Sequence, residues 1–228
     1  MDVVNLDYSQ YQTVYNILSF ALASMLATFV FLLAVQGRVL PRYRQALVVS
    51  AMVCLIAAYH YYRIFDSFRH SYVAVDEGSA ATAMNAMSYM LVNGEGFNEG
   101  YRYVDWLLTV PLLLFEAIAV LALPRAVRKS LLMKLIPASA LMIILGYPGE
   151  IAVDTAPKAI WGALSTIPFL YILYILFVEL TKATKTQPGQ VGKDVNGLRW
   201  LLLATWGVYP ISYLIPMFGI EGADAFVW

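Results

Sequence analysis

Residues 102–118 read RYVDWLLTVPLLLFEAI, an apolar stretch that nevertheless carries Arg102, Asp105 and Glu116. A charge near the middle of a bilayer costs roughly 2.5–3.5 kcal/mol on insertion scales. Ionisable groups retained at that depth usually face the interior of a helix bundle and mark ion pathways or proton relays. The stretch therefore predicts a membrane-spanning helix with one polar, functional face.

The composition of the whole chain supports a membrane protein. Of its 228 residues, 61% are hydrophobic and 13% are charged, whereas soluble domains have about 45–50% apolar and about 25% charged residues. The formal net charge of zero argues neither for nor against nucleic acid. We expect no nucleic-acid partner for a membrane protein of this kind. The single cysteine, Cys54, excludes an internal disulfide framework.

Several apolar segments are long enough to cross a hydrocarbon layer, which takes about 20 helical residues. They cover about 13–35, 45–65, 101–123, 131–151, 158–180 and 198–219. The residues that follow resemble the start of one more span, so we predict an all-α, polytopic membrane protein, a seven-transmembrane-helix bundle of which six spans and the start of the seventh are present. Residues 1–228 are expected to form a single domain, with a short hairpin made by the SYVAV and Gly94/Gly96 segments of the loop at about 67–98.

The charges of the loops predict the orientation. The loops after spans one, three and five are basic, whereas the N-terminus and the alternate loops are acidic. The positive-inside rule places the basic loops in the cytoplasm. We therefore expect a multi-pass protein of the cell membrane whose N-terminus is extracellular.

Helical geometry places the polar residues of the third span on one stripe. At 100° and about 1.5 Å per residue, Asp105 and Thr109 lie about 40° apart, while Asp105 and Glu116 differ by about 20° and are separated by roughly 16 Å along the axis. Arg102 lies one turn outward of Asp105. We expect Asp105 to be ionised and Glu116, among apolar neighbours, to be protonated.

One proton acceptor and one donor on opposite sides of a barrier meet the requirement for directional proton transfer. The alternative is a structural ion pair between Arg102 and Asp105, with a Glu116 side chain that snorkels to the interface. His60, deep in the second span, is either a packing residue or a partner that tunes Asp105.

Three aromatic residues of this chain lie too deep in their spans to belong to the interfacial aromatic belts of a membrane protein. Trp106 neighbours Asp105, and Trp206 and Tyr209 lie in the sixth span. They form either a packed aromatic core or a slot for a flat apolar ligand.

Four segments on four spans together resemble the microbial rhodopsins, and most of all the xanthorhodopsin-like branch of the proton-pumping proteorhodopsins. The segments are RYVDWLLTVPLLLFE, LMIILGYPGE, WGALSTIPFLYILYILF and LRWLLLATWGVYPISYLIP. The resemblance implies a seven-helix bundle that binds retinal as a Schiff base, moves one ion in each photocycle and forms a homo-oligomer in the lipid bilayer.

The resemblance also implies residue roles. Asp105 matches the counterion and proton acceptor, Thr109 the middle residue of an Asp-Thr-Glu triplet, and Glu116 the cytoplasmic proton donor. His60 matches the histidine that bonds the counterion. The positions that match the retinal pocket are Trp106, Leu113, Met142, Gly146, Trp206, Tyr209, Pro210 and Tyr213. Leucine at position 113 goes with green rather than blue absorption in this family.

The comparison with the family has two further points, the lysine that links retinal and the residue at position 162. Retinal is linked in that family to a lysine of the seventh helix, but the lysines of this sequence lie in loops or at interfaces, so we expect the linked lysine to lie beyond the residues given. Gly162 falls where many relatives carry a bulky residue against the retinal ring. In the xanthorhodopsin-like branch a glycine there leaves an opening beside which a hydroxylated carotenoid antenna lies, and the alternative is a glycine that eases contact between spans five and six.

The function implied by these observations is a light-driven outward proton pump that uses retinal, which is an ion transporter rather than an enzyme. Two alternatives remain on the same scaffold. One is a photosensory rhodopsin that signals through a partner, and the other is a chromophore-free proton-coupled transporter. The paired carboxyl donor favours the pump, because a sensor has no need of fast reprotonation.

Overall fold

Long helices make up most of the protein. The computed structural model describes residues 5–76, 87–91, 98, 100–121, 123–152, 154–184 and 189–215. The helices are α1 Tyr8–Val35, α2 Pro41–Ser71, α3 Gly100–Ala119, α4 Arg125–Glu150, α5 Thr155–Tyr174, α6 Leu180–Thr184, α7 Gly189–Trp206 and α8 Val208–Leu214, with a short 3₁₀ turn at Gln36–Arg38 and a π-helical turn at Ile175–Glu179. Neighbouring long helices pack in chain order, α1 on α2, α2 on α3, α3 on α4 and α4 on α5.

Local sequence determines where the first two helices begin. The Asp7 side chain accepts a hydrogen bond from the backbone N–H of Gln10 at 2.7 Å, and the Gln10 side chain accepts one from the Asp7 N–H at 2.9 Å. This reciprocal pair is a capping box. Helix α2 begins at Pro41, whose missing N–H has no cost in a first turn. Both helices therefore begin before the predicted spans 13–35 and 45–65, because a capping box starts α1 and a first-turn proline starts α2 ahead of the apolar part of each helix.

Each of the six predicted spans contains a helix over its described residues, but two ends differ from the prediction. The third span ends at Ala119 rather than at 123 because its last turn tightens, with the Leu121 N–H donating to the Ile118 carbonyl at 3.4 Å, shortly before Pro124. The fifth span continues to Thr184 through the π-helical turn.

The sixth span is divided at Gly207 into α7 and α8. The Gly207 N–H still donates to the Leu203 carbonyl at 2.9 Å, but Pro210 has no N–H with which to continue the ladder. The predicted start of a seventh span lies outside the described residues.

Four of the described helical segments are long and apolar enough to cross a membrane: Tyr8–Arg38, Pro41–Ser71, Arg125–Glu150 and Thr155–Lys182. Helix α3 does not join this group by composition because its 20 residues include Arg102, Asp105 and Glu116. The charges that lower its apolarity are the same charges that suggested a functional face.

A small antiparallel sheet covers one end of the bundle. Strands β1 Leu6–Asp7, β2 Tyr72–Asp76 and β3 Met87–Leu91 are arranged in the order β1-β3-β2. Strand β2 overlaps the predicted SYVAV segment, but its partner is β3, and the Gly94/Gly96 segment lies outside the described residues. The addition of β1 was not predicted. The ring of Tyr11 in α1 stacks on Tyr89 of β3 at 3.8 Å and on Phe68 of α2 at 5.0 Å. The fold is therefore helical with one minor sheet, not purely α-helical.

The main apolar core lies between α3, α4 and the second half of the fifth span. Leu114, Ile118, Leu135, Ile172 and Ile175 are at most 1% exposed and pack in one cluster. Helix α1 contributes no buried residue. Several of its apolar side chains, such as Phe20 and Phe31, are exposed, as expected for a helix that faces lipid, whereas Tyr11 and Tyr15 pack against the cluster that contains Phe68.

Candidate functional site

The centre of the site is Asp105, which lies in the second turn of α3 and is only 4% exposed. Its Oδ1 lies 3.5 Å from Nδ1 of His60 in α2. The same oxygen has no hydrogen-bond partner among the described residues. A buried polar atom without a hydrogen bond costs about 1–3 kcal/mol, and more if it is charged. Asp105 is therefore suited to receive a proton or a further N–H donor.

His60 is buried beside this carboxyl group, at 7% exposure. Its Nδ1 also lies 2.9 Å from the carbonyl oxygen of Ile56. Since a carbonyl only accepts hydrogen bonds, Nδ1 carries the hydrogen and directs it to Ile56. The 3.5 Å contact with Asp105 is longer than an ordinary N–H···O bond of about 2.7–3.2 Å, so it is an electrostatic contact.

Arg102 and two tyrosines share the surroundings of Asp105. The phenol groups of Tyr61 in α2 and Tyr209 in α8 both interact electrostatically with Asp105 and with Arg102. The carboxyl group is thus placed among one guanidinium and two phenols. Tyr61 was missed by the sequence analysis, although it directly follows His60 in the segment AAYHYYRIF.

Thr109 is buried on the same face of α3 as Asp105, as predicted. Its hydroxyl donates to the backbone carbonyl of Asp105 at 2.8 Å. It therefore contacts the main chain of the acceptor residue, not its carboxyl group, and fixes the helix at this turn.

Glu116 lies half buried where α3 meets α2. It lies beside the hydroxyl of Ser50 and near the thiol of Cys54. The Ser50 hydroxyl also donates to the Ala46 carbonyl at 3.1 Å. Ser50 and Cys54 are four residues apart on one face of α2, a spacing that is visible in the sequence but was not connected to Glu116 beforehand.

Glu150 supplies a third carboxyl group near the site. The sequence predicted no role for it, because it was counted among the acidic residues of the loops. The Tyr103 hydroxyl donates to Oε2 of Glu150 at 3.2 Å, across α3 and α4. Tyr103 precedes Val104 and Asp105 and follows Arg102, so this pair lies toward the Arg102 end of α3. Glu150 closes the segment LGYPGE, which was the available signal.

Aromatic rings lie next to Asp105. The ring centroid of Trp106 lies 4.8 Å from that of Tyr209 and 5.1 Å from that of Tyr103. Trp106, Met142 and Trp206 pack against the same buried core. Of the predicted pocket, the structure thus brings together residues from α3, α4, α7 and α8.

Three other predicted pocket positions have different surroundings. A Cβ atom at Gly146 would lie 3.2 Å from the Tyr103 ring, so the glycine allows that ring to approach α4. Leu113 is half buried and Pro210 is exposed. Among the described residues, neither belongs to the cluster that holds Trp106.

Gly162 contacts the last predicted pocket residue, Tyr213. A Cβ atom at Gly162 would lie 2.7 Å from the Tyr213 ring, and the Tyr213 hydroxyl closely approaches Gly149. The same hydroxyl donates to the Lys158 carbonyl at 2.7 Å. The space above Gly162 is therefore filled by a side chain of the sixth span, which supports the packing alternative for this glycine.

The chemistry of the site fits one kind of ligand. A buried carboxylate oxygen with an unused acceptor position suits a cationic N–H group, and the rings of Trp106, Tyr209 and Trp206 suit a flat apolar body. Retinal in Schiff-base linkage has both features.

Comparison with known proteins gives matches along almost the whole chain. Residues 12–226 match the family described as bacteriorhodopsin-like protein. The chain is 31% identical over 204 residues to the green-light absorbing proteorhodopsin of the gamma-proteobacterium EBAC31A08, a match that covers 89% of this chain and 72% of that protein.

Solved structures agree with the sequence matches. Xanthorhodopsin, described as a light-driven ion pump with dual chromophore, is 44% identical with a TM-score of 0.86, covering 99% of this chain and 86% of that one. A thermophilic rhodopsin is 43% identical with a TM-score of 0.88 and the same coverage. These matches confirm the resemblance drawn from the four segments and the predicted architecture. The chain therefore belongs to the bacteriorhodopsin-like family, as a seven-helix microbial rhodopsin of the xanthorhodopsin and proteorhodopsin kind.

Proposed function

We propose that this rhodopsin is a light-driven pump that uses retinal and moves protons outward. The observation that carries the proposal is the pair of carboxyl groups on α3, with Asp105 buried beside His60 and Glu116 half buried beside Ser50. An acceptor and a donor at different depths on one helix supply the two proton-binding groups that a pump requires. The xanthorhodopsin match, a light-driven ion pump, supports the same function.

Each polar residue has a proposed task in proton transfer. Retinal, when bound, supplies light-driven isomerisation and a protonated nitrogen. Asp105 balances that positive charge and accepts a proton, while Arg102 and His60 hold the carboxyl group in an electrostatically suitable environment. Glu116 holds a proton on the cytoplasmic side of the chromophore and releases it toward the retinal nitrogen along the α2–α3 boundary. Thr109 maintains the backbone that aims Asp105.

The apolar residues are proposed to enclose the chromophore. The rings of Trp106, Trp206 and Tyr209 form its walls, with Met142 behind them, and the other proposed lining residues are Leu113, Gly146, Pro210 and Tyr213. Of the lysines that the structure describes, none belongs to this lining.

The protein crosses the cell membrane several times, as members of this family do. We further propose that its N-terminus is outside, that it forms a homo-oligomer and that residues 1–228 belong to a single transmembrane domain. The basic loop after α1 and the basic first turns of α4 support this orientation.

The direction of transport is tested in whole cells. Illuminated cells that contain the full-length protein and retinal are expected to acidify an unbuffered medium, because Asp105 lies on the side of the acidic loops. An uncoupler should abolish the change in external pH. Alkalinisation of the medium, or a signal that requires sodium ions, would contradict the proposal.

Colour distinguishes the pump from the two alternatives. A chromophore-free transporter is colourless and needs a substrate gradient, whereas the proposed pump is coloured and loses its colour with hydroxylamine. A sensor is coloured as well but does not change the pH of the medium in the light.

A carotenoid antenna is a second proposed function, favoured by the dual chromophore of xanthorhodopsin. A hydroxylated carotenoid would lie on the outer surface beside Gly162 and pass excitation to retinal. Because the Tyr213 ring packs on Gly162, any side chain at position 162 must displace that ring. In the wild type, excitation would pass from the carotenoid to retinal beside the Tyr213 ring.

The antenna is tested with an action spectrum of the full-length protein mixed with a hydroxylated carotenoid. We expect an additional band from the carotenoid in the wild type and its loss in Gly162→Trp. The matched control is Ala163→Trp, which adds the same indole at the exposed neighbouring position. If several carotenoids give no band in the wild type, the glycine serves only to pack against Tyr213.

A further inference from the structure

A groove lies at the basic end of the bundle, between α2, α3 and the start of α4. Its volume is about 420 Å³, and its walls consist of Gln45, Phe115, Arg125, Arg128, Lys129, Leu132, Met133, Ile136 and Pro137. The residues divide by chemistry. Three cations lie on the first two turns of α4, and five apolar side chains continue from them along α3 and α4. None of the residues proposed to hold retinal belongs to this lining.

The positive charge of the groove has no negative partner among the described residues. The ion pairs in that part of the chain are His60–Asp105, His70–Asp66 and Lys134–Glu179, and they do not involve the three cations. The cations also lie at the helix end where they are least favourable, since the N-terminal end of a helix is itself positive. The first turn of α4 has no acidic residue, and Pro124 supplies no side-chain cap.

The apolar part of the groove is open. Met133 is 68% exposed and Ile136 is 37% exposed, directly beyond the second turn of α4. A free inorganic anion would satisfy only the cations and would leave these side chains uncovered. A molecule with a negative head and an apolar chain satisfies both parts.

We propose that this groove binds an anionic phospholipid. The phosphate group is held by Arg125, Arg128 and Lys129, and one acyl chain lies along Met133 and Ile136. Basic pockets between transmembrane helices recognise the head groups of anionic lipids in this way. A zwitterionic lipid is a poorer ligand, because its head group carries a cation of its own into the same positive field.

The proposal is tested by native mass spectrometry of the delipidated, full-length protein with retinal. Phosphatidylglycerol and phosphatidylcholine with identical acyl chains are added separately in detergent. We expect phosphatidylglycerol to bind more tightly, and the triple variant Arg125→Gln/Arg128→Gln/Lys129→Gln to lose about 100-fold of that affinity, since each of the three cations contributes about fivefold near an anionic lipid. The visible absorption of the pigment verifies that each variant is folded.

A matched control removes the same charge elsewhere on the basic side. Arg38→Gln/Lys182→Gln/Lys193→Gln is expected to bind phosphatidylglycerol like the wild type, because these residues lie outside the groove. Met133→Asn/Ile136→Asn should weaken the lipid while retaining the cations. Undiminished binding to the triple groove variant, equal binding of both lipids, or complete displacement by millimolar inorganic phosphate would overturn the proposal.

Discussion

Asp105→Asn is expected to stop light-driven acidification and to shift the absorption of the retinal-bound protein to longer wavelength. The amide has nearly the same shape but neither carries a negative charge nor accepts a proton. Loss of a positioned proton acceptor lowers the rate of a proton-transfer step by about 10²-fold or more. Loss of the negative charge beside a cationic chromophore destabilises its ground state and narrows the excitation gap. External pH during illumination and the visible spectrum measure the two effects.

Acid provides an independent check on the spectral part of this prediction. Acidification protonates Asp105 in the wild type and removes the same charge, so the wild type should show a similar red shift at low pH. Asp105→Asn should show no such titration. The matched control is Asp66→Asn on α2, where the carboxyl group is half exposed and lies 3.4 Å from His70, remote from the site. If Asp105→Asn transported protons, the acceptor would have to be another group, such as Glu150.

The helical architecture was predictable because long apolar runs and loop charges are properties of the sequence itself. The exact helix ends were less so, since they depend on local hydrogen bonds. Asp7 and Gln10 close a capping box before the apolar run of α1 begins, and the last turn of α3 tightens ahead of Pro124. The π-helical turn that carries the fifth span to Thr184 has no pattern of its own in the sequence.

The polar stripe of α3 was predictable because it belongs to one helix. Regular helical geometry alone places Asp105, Thr109 and Glu116 on the same face. Contacts between helices depend on packing, which one sequence does not reveal. The approach of His60 to within 3.5 Å of Asp105 was suggested by the family, whereas the Tyr103–Glu150 hydrogen bond across α3 and α4 was not anticipated at all.

Gly162 illustrates how one residue supports two interpretations until its neighbours are known. A glycine in a helix predicts an open space or a close approach, and the sequence does not distinguish the two. The Tyr213 ring, 51 positions further along the chain, occupies that space. Any substitution at position 162 therefore also moves the Tyr213 ring, so its effect on the antenna includes the effect of that displacement.

Glu116→Gln is expected to leave the colour nearly unchanged and to slow the recovery of the pigment after a flash by about 10²-fold, the lower end of the effect of a positioned proton donor. Glu116 is eleven residues from Asp105, too far for its charge state to govern the absorption. Glutamine retains the size and can still contact Ser50, but it has no proton to release. Time-resolved absorption measures the recovery, and light-driven acidification should fall with it.

Rescue distinguishes a missing proton from a distorted helix. A small, membrane-permeable weak acid such as hydrazoic acid should restore fast recovery in Glu116→Gln, because it delivers the proton that the side chain no longer carries. The matched control is Glu179→Gln, which removes a carboxyl group that accepts from Lys134 at 2.7 Å on the fifth span. A partly exposed ion pair of this kind contributes at most about 1 kcal/mol to stability, so recovery should stay fast. If Glu116→Gln recovered like the wild type, protons would have to reach the site by another route, and the Ser50 boundary between α2 and α3 would lose its proposed role.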